Sequence, residues 1–206
     1  MPIKSLFPSS VSVSPLGSVR QVQKINQELL PEIEQIRRTD ETGQKWSQKS
    51  YPGGYTSYAT LNRLDQFSTS FLNIRNKIDL QVQKFSQHLD MDLQGRKLIM
   101  TNFWVNIMPP KTVHSMHIHP LSAISGTYYV QTPKNCSAIK FEDPRIVCFM
   151  GSPPRKTRAR DDNQRFISLT PQAGQVILFE SWMRHEVPPN LSRQNRISLS
   201  FNYDWI

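Results

Sequence analysis

Three of the five histidines of this chain occur in a pattern that suits a metal ion. His117 and His119 form a His-x-His pair, and alternate residues of a β-strand point to one face, so their imidazole rings are expected to lie side by side. Such rings repel each other when protonated, whereas neutral imidazoles bind a divalent metal well. The pair alone is a weak motif, but His185 follows 68 residues after His117 and offers a third ligand. His114 fits no ligand position and is assigned to the surroundings of the site or to the surface.

A second group of residues offers a site for an anion. Arg196 and Ser198 lie two residues apart and share one face of a predicted strand whose other face carries Ile197 and Leu199. A guanidinium group binds a carboxylate through two parallel hydrogen bonds, and a serine hydroxyl adds a third. The alternation leaves open whether this polar face lines a cavity or meets solvent.

The charge of the chain does not assign a function. There are 25 Lys and Arg against 16 Asp and Glu, a formal net charge of +9, spread along the whole sequence. One run, Arg155–Arg160, concentrates four basic side chains and is followed by two aspartates. It is interpreted either as a solvated loop or as a patch for an acidic partner such as nucleic acid or an anionic substrate.

Composition excludes several classes of protein. Hydrophobic residues make up 37% and charged residues 20%, which is typical of a globular protein. No stretch approaches the roughly 20 apolar residues of a membrane span, and the N-terminal segment lacks the apolar core of a signal peptide. Two cysteines, Cys136 and Cys148, are too few for a disulfide scaffold and are expected to be reduced. We therefore expect a cytoplasmic protein without a membrane partner.

The elements that must position these residues divide the chain in two. Residues 5–16 are predicted to form an edge strand, and from Ser18 apolar residues at steps of three and four predict a helix, with a kink or break at Pro31. Residues 40–58 are predicted to be a loop. The same periodicity over 61–89 predicts a second helix, near whose end the remaining histidine, His88, is expected at the surface.

After residue 96 the pattern changes to short runs of β-branched and aromatic residues separated by turn residues. Six such runs predict antiparallel strands in a sandwich or barrel. The fold class is therefore α+β, mainly β, with a jelly-roll core over 96–206 and a mostly helical part over 1–95, together one domain of residues 1–206. The predicted strands are LIMTNFWVNIM, SGTYYVQ, SAIKFED, RFISL, GQVILFE and RISLSFNY.

Taken together, the motifs resemble those of the iron(II)- and 2-oxoglutarate-dependent dioxygenases. The chain is most similar to a branch of these oxygenases that occurs in bacteria and phages and carries motifs like those of prolyl hydroxylases. The resemblance covers nearly the whole chain and rests on WVN, HIHPLSAISGTYYV, FEDPR, SWMRHEVPPN and RISLSFN, with LFP and GGYTSY near the N-terminus. It implies a double-stranded β-helix (a jelly-roll fold) with Fe(II) at one mouth of the barrel.

The resemblance also implies a role for individual residues. His117, His119 and His185 take the positions of the three iron ligands, and Arg196, helped by Ser198, binds the distal carboxylate of 2-oxoglutarate. Tyr129 matches the second tyrosine of a segment that reaches this carboxylate in prolyl hydroxylases. Asn106 is a candidate contact to cosubstrate or substrate, and residues 40–58 are expected to close over the substrate, whose identity the sequence does not give.

One ligand departs from the family pattern. Most of these oxygenases use two histidines and one carboxylate, whereas His119 occupies the carboxylate position here. Asp143, Glu180 and Glu186 are the alternative carboxylate ligands, of which Asp143 is more simply explained by an ion pair with Arg145.

Other interpretations also stay open at this stage. They are a cupin-like metal protein, a three-histidine oxygenase that does not use 2-oxoglutarate, and a nucleic-acid-binding protein that uses Arg155–Arg160. A homodimer is one oligomeric state compatible with the sequence.

Overall fold

Two antiparallel β-sheets and three α-helices make up the computed structural model, which describes residues 3–206. None of the helices within these residues is long and apolar enough to cross a lipid bilayer. The helices are α1 (Val19–Thr39), α2 (Glu41–Ser50) and α3 (Thr69–His88). The strands are β1 (Val11–Pro15), β2 (Tyr55–Thr56), β3 (Leu98–Met108), β4 (His114–His117), β5 (Ile124–Gln131), β6 (Ile139–Glu142), β7 (Phe166–Leu169), β8 (Gln175–Glu180), β9 (His185–Val187) and β10 (Arg196–Trp205).

The larger sheet separates the helices from the rest of the molecule. Its strand order is β1-β8-β5-β10-β3-β2, and the smaller sheet has the order β4-β9-β6-β7. One face of the larger sheet packs on α1 and α3 in the main hydrophobic core. Two tyrosines tie the layers together, because the hydroxyl of Tyr128 bonds Asn26 of α1 at 2.6 Å and that of Tyr203 bonds Asp79 of α3.

Strand alternation gives the larger sheet two chemically different faces. Along β10, Ile197, Leu199 and Phe201 belong to the core beneath the helices, and the intervening residues point toward the smaller sheet. A second apolar cluster, which includes Tyr129, Phe141 and Phe179, fills part of the space between the sheets. The polar face of β10 is therefore an inner face, not a solvent face.

The predicted strands are confirmed, and the N-terminal edge strand pairs with β8. The break predicted at Pro31 is wrong, because α1 runs through it from a capping box at Ser18 to Thr39. Pro31 lies on the exposed side of α1. A proline inside a helix costs about 3 kcal/mol, and full burial of Leu29, Ile33 and Ile36 at about 1.5–3 kcal/mol for each side chain exceeds it.

The loop predicted over residues 40–58 is also partly wrong, since it contains α2. Asp40 caps this helix by accepting a hydrogen bond from the backbone N–H of Gly43 at 2.9 Å, and it accepts another from the Tyr55 hydroxyl at 2.9 Å. The buried residues of α2 are Gly43 and Ser47. A helix that buries only small residues has no apolar periodicity, so the sequence pattern could not show it.

The second predicted helix begins later than its apolar pattern. Ser68 caps α3, and the preceding residues form a 3-10 turn, Leu64–Gln66. Asp65 in this turn is buried and pairs with Arg63 at 3.1 Å and Arg75 at 2.6 Å. Burial raises the pKa of Asp65, but the hydrogen bonds and charges of the two arginines outweigh it, and the net pKa is lowered.

Candidate metal centre and anion site

Three imidazole rings converge between the two sheets. The ligand atoms of His117, His119 and His185 all lie within 4.8 Å of one another, and the Nε2 atoms of His117 and His119 are 3.2 Å apart. Two nitrogens bound to one metal at about 2.1 Å and at right angles would lie roughly 3.0 Å apart, which is close to this separation. In residues 3–206 no other group of three or more His, Cys, Asp or Glu side chains brings its ligand atoms together in this way.

The hydrogen bonds of the rings determine which nitrogen is free. The Nδ1 atom of His117 lies 2.6 Å from the carbonyl oxygen of Ser115, and that of His185 lies 2.9 Å from the carbonyl oxygen of Met183. A carbonyl oxygen only accepts, so both Nδ1 atoms carry the proton and both Nε2 atoms keep a free lone pair. Neutral histidines in this tautomer are the form that binds a metal.

His119 is oriented by a side chain instead of a carbonyl group. Its Nδ1 atom lies 2.6 Å from Oδ1 of Asn202, which also accepts a hydrogen bond from Ser125 at 2.8 Å. Strand β4 ends at His117, so the expectation that one strand positions both histidines is wrong. The backbone N–H of His119 donates to the carbonyl of Ser181 at 3.0 Å, which fixes the segment beyond the strand.

Burial keeps these rings neutral. It lowers the pKa of His117, lowers that of His119 to about 4 and lowers that of His185 to about 2, with charge repulsion between the rings adding to the effect for His119 and His185. The free Nε2 lone pairs of these uncharged rings lie within 4.8 Å of one another, and those of His117 and His119, 3.2 Å apart, repel each other. A cation between the rings removes this repulsion. The donor set therefore fits a divalent metal such as Fe(II), for which imidazole is a suitable ligand.

His114 lies next to the triad but is not one of its three candidate ligands. Its ring stacks on that of His117 with centroids 4.6 Å apart, and the ring of Tyr51 packs against the His114 ring with centroids 5.2 Å apart. This agrees with the expectation that His114 belongs to the surroundings of the site. Burial, followed by the charges of His117 and other neighbours, lowers the pKa of His114 to about 3.

Arg196 is a buried cation at the same cleft. Its side chain is 2% exposed, one nitrogen donates to the sulfur of Met108 at 3.3 Å, and its guanidinium carbon lies 5.0 Å from the centre of the Tyr129 ring. The Arg196 Nε–H and the Tyr129 hydroxyl have no hydrogen-bond partner within the described part of the chain. No carboxylate of residues 3–206 pairs with Arg196. An unpaired buried charge costs several kcal/mol, so this position is suited to an anionic ligand.

The cleft that joins the two features is partly open to solvent and is narrow, with a free volume of about 40 Å³. Asn106 and Ser198 face it from neighbouring strands, and Asn106 donates to the Ser200 hydroxyl at 3.0 Å while its own Oδ1 is unpartnered within residues 3–206. All seven residues predicted for the site lie in or against the space between the sheets. They are Asn106, His117, His119, Tyr129, His185, Arg196 and Ser198.

The alternative carboxylates lie outside the triad. Asp143 pairs with Arg145 at 2.7 Å, as expected, and Glu186 pairs with Lys140 at 2.9 Å. Sequence reasoning missed Asn202, which orients His119, and Tyr51, whose buried hydroxyl has no partner among the residues described. Asn202 lies six residues after Arg196 on β10 and so shares its strand face, which is the one feature of the sequence that could have indicated a place for Asn202 in the site.

Comparison with known proteins identifies a family that covers this part of the chain. A family model described as "Putative 2OG-Fe(II) oxygenase" matches residues 102–202, a range that contains all seven predicted site residues. No curated protein sequence matches the chain.

Solved structures share the fold at low sequence identity. The epimerase SnoN from nogalamycin biosynthesis, a non-haem α-ketoglutarate-dependent enzyme, is 13% identical with a TM-score of 0.66, over 95% of this chain and 76% of SnoN. A prolyl hydroxylase from Trichoplax adhaerens, in complex with a peptide of hypoxia inducible factor, is 14% identical with a TM-score of 0.63, over 94% of this chain and 83% of that one. HygX from Streptomyces hygroscopicus, with nickel, 2-oxoglutarate and hygromycin B bound, is 13% identical with a TM-score of 0.60, over 95% and 83%.

Proposed function

Residues 102–202 belong to the 2OG-Fe(II) oxygenase family, and from this premise we propose that His117, His119 and His185 bind the iron and that Arg196 binds 2-oxoglutarate. The protein is accordingly an oxidoreductase, a non-haem Fe(II), 2-oxoglutarate-dependent dioxygenase. The observation that carries the residue assignment is the convergence of three neutral imidazoles, each with its Nδ1–H bonded away from the centre.

The anion site favours 2-oxoglutarate chemistry over a cupin-like sensor. A sensor or a three-histidine oxygenase without this cosubstrate would gain nothing from a buried, unpaired arginine, and the burial would cost stability. A dicarboxylate that reaches from the triad to Arg196 supplies the missing negative charge. Ser198 and Tyr129 lie beside the guanidinium group, and their hydroxyl groups offer further hydrogen bonds to the dicarboxylate.

The chemistry that bound Fe(II) and 2-oxoglutarate would supply is reduction of O2, in which one oxygen atom enters succinate as the cosubstrate is oxidised with loss of CO2 and the other is available to oxidise a substrate C–H bond. The chain holds the reactants in place around this chemistry. Arg196 neutralises and orients the distal carboxylate, and the carbonyl groups of Ser115 and Met183 keep the histidine Nδ1 protons away from the metal side. Phe179, whose ring centre lies 4.7 Å from that of His185, excludes water from one side of the triad.

Several finer statements belong to the same proposal. The two facing antiparallel sheets support a double-stranded β-helix. The free thiols of Cys136 and Cys148 fit the reducing conditions of the cytoplasm. Closure of residues 40–58 over the substrate stays a prediction, which limited proteolysis with and without ligands would test. Formation of a homodimer also stays a prediction, which analytical ultracentrifugation would test.

An anaerobic titration with Fe(II) and 2-oxoglutarate tests the assignment. We expect a visible metal-to-ligand charge-transfer band in the unmodified protein, no band in Arg196→Ala despite stoichiometric iron binding, and loss of iron binding in His119→Ala. His88→Ala is the matched control, since His88 is exposed on α3. Stoichiometric iron binding without a band in the unmodified protein would instead favour three-histidine chemistry without 2-oxoglutarate, or a sensor.

A further inference from the structure

A long basic loop leaves the smaller sheet beside the histidine triad. This loop, which we call the rim loop, comprises residues 143–165 between β6 and β7. Its two ends are joined by a hydrogen bond from the N–H of Asp143 to the carbonyl of Arg165 at 2.8 Å. The preceding residue, Glu142, donates its N–H to the carbonyl of Arg184 at 2.9 Å, and Arg184 directly precedes His185.

Strand directions place the rim loop at the mouth of the site. His117, the last residue of β4, pairs with His185, the first residue of β9, and His185 also pairs with Phe141 near the end of β6. Because these pairings are antiparallel, the chain leaves β4 and β6, and enters β9, at one end of the sheet. The rim loop therefore emerges at the end of the sheet that carries the metal centre.

The rim loop holds more positive charge than it can pair internally. It contains six Lys and Arg against three aspartates, a net charge of 6 − 3 = +3. Arg145 pairs with Asp143 and Arg160 pairs with Asp162. Its exposed basic side chains that make no ion pair within the described chain are Arg155, Lys156 and Arg158, against one exposed aspartate, Asp161, that makes none either.

A buried carboxylate fixes two more arginines at this mouth. The side chain of Glu142 is 4% exposed and lies 3.2 Å from Arg165 and 3.3 Å from Arg184, both of which are about half exposed. Two cations share one anion there, so a positive charge remains on the outer side. An arginine guanidinium held in this way presents its remaining donors in the planar arrangement that suits phosphate.

Exposed aromatic and apolar side chains accompany this charge. Trp182 lies in the turn before His185 and is 45% exposed, and Ile118 lies between two of the histidines and is 42% exposed. Tyr58 is 45% exposed and packs with its ring 5.0 Å from that of Trp104, which lines the cleft. Aromatic rings with one free face are platforms for stacking nucleobases.

We propose that the substrate of this oxygenase is a single-stranded nucleic acid, whose phosphates bind the rim loop and whose bases stack on Trp182 and Tyr58. This proposal rests on the proposed function, because the rim loop matters to catalysis only if the triad is the reactive centre. Positive charge alone would also suit an acidic peptide, but the exposed aromatic rings favour bases. A single strand is favoured over a duplex because a reacting base must leave the stack to enter a cleft between two sheets.

Fluorescence anisotropy with labelled single-stranded oligonucleotides tests the proposal without any catalysis. Each phosphate contact changes the slope of log K against log salt by about 0.7 for single strands, so the triple variant R155Q/K156Q/R158Q should reduce the slope by about 2. If the two proteins bind equally at 1 M salt, this difference in slope makes the affinity of the triple variant roughly 100-fold lower than that of the unmodified protein at 0.1 M salt. The matched control K45Q/K84Q/K97Q removes three exposed lysines elsewhere and should change the affinity by much less.

The stacking platform has its own variant. Trp182→Leu keeps an apolar side chain but removes the aromatic ring, and it should lower the affinity by about tenfold without changing the salt slope. Equal loss in the triple variant and its control, no detectable oligonucleotide binding, or binding of a duplex or of poly-glutamate as tight as that of the single strand would overturn the proposal.

A parallel measurement separates this inference from the proposed function. The triple variant should keep the Fe(II)–2-oxoglutarate charge-transfer band, and Arg196→Ala should lose the band but keep oligonucleotide binding. A protein that shows the band but binds no oligonucleotide remains a 2-oxoglutarate oxygenase with another substrate class. A protein that binds oligonucleotides through the rim loop without showing the band would refute the proposed function instead.

Discussion

Replacing Arg196 by methionine is expected to stabilise the ligand-free protein while removing its affinity for 2-oxoglutarate. Methionine fills a similar elongated space and carries no charge, so it removes the desolvation cost of a guanidinium that is 2% exposed and unpaired within residues 3–206. The same change removes the one cation placed to neutralise the distal carboxylate. Stability and binding should therefore change in opposite directions.

The size of the stability effect follows from the surroundings of the guanidinium. An unpaired buried ion costs several kcal/mol, and the contact with the Tyr129 ring at 5.0 Å returns up to about 2 kcal/mol of this. The net gain for Arg196→Met is then about 1–2 kcal/mol. In a chain of this length each kcal/mol raises the Tm by about 2–4 °C, so the ligand-free variant should unfold about 2–8 °C above the unmodified protein.

Binding of the cosubstrate should reverse this order. Loss of one partner of a buried charge pair costs about 2–5 kcal/mol, which weakens 2-oxoglutarate binding by roughly 30-fold or more. A concentration 100 times the Kd stabilises the unmodified protein by about 2.7 kcal/mol, and the variant gains little at this concentration. With Fe(II) and 2-oxoglutarate under anaerobic conditions the unmodified protein should thus equal or exceed the Tm of the variant.

Thermal unfolding in both conditions, with Arg20→Met as a control at an exposed arginine of α1, measures the reversal. A ligand-free Arg196→Met protein that melts below the unmodified protein would show that Arg196 is a structural cation. The argument for an anion site from its missing partner would then be wrong.

Three further changes test other parts of the structure. Asn202→Ala should weaken Fe(II) binding by about 10–100-fold, because it frees the Nδ1–H that orients His119, and metal titration of the variant checks this. Asp65→Asn should lower the free energy of unfolding by about 2–3 kcal/mol at pH 7 through the loss of its charged hydrogen bonds. The pKa of Asp65 is lower in the folded protein than in the unfolded chain, where it is about 4. The difference in stability should therefore shrink below about pH 4 and disappear as the pH falls through the folded pKa, which urea titrations at several pH values check. Gly174 has φ +88°, and a Cβ atom at this position would lie 2.1 Å from Val22. Gly174→Ala should therefore destabilise the protein by about 2 kcal/mol and lower the Tm in a thermal scan by about 4–8 °C.

The strands and the His117–His119 pair could be predicted because they depend on local pattern, whereas the assignment of His185 as the third ligand depended on the resemblance to a known family. Alternation and β-branched composition identify a strand wherever one face is buried, and the six strands predicted after residue 96 are all present. Helix α2 and the unbroken α1 could not be predicted in the same way. In α2 the buried residues are Gly43 and Ser47, and in α1 the effect of Pro31 is outweighed by long-range packing of the opposite face.

The orientation of β10 shows a different limit of sequence reasoning. The alternation of Arg196 and Ser198 with apolar residues is the same whether the polar face meets solvent or an enclosed cleft. The choice is made by α1 and α3, which cover the apolar face, and by the smaller sheet, which covers the polar one. Neither contact is local, since the strands and helices involved are far apart in the chain.

Buried polar atoms next to the triad have no hydrogen-bond partner among the described residues, which costs stability and supports a functional interpretation. Natural proteins pair nearly all buried polar atoms, but within residues 3–206 four side chains beside the triad leave such atoms unpaired. Together they offer a positive charge, two hydroxyl groups and an amide oxygen around a cleft that ends at three imidazoles. A dicarboxylate and a metal ion would satisfy this set, whereas an apolar face would fold more stably without them. The four residues are Tyr51, Asn106, Tyr129 and Arg196.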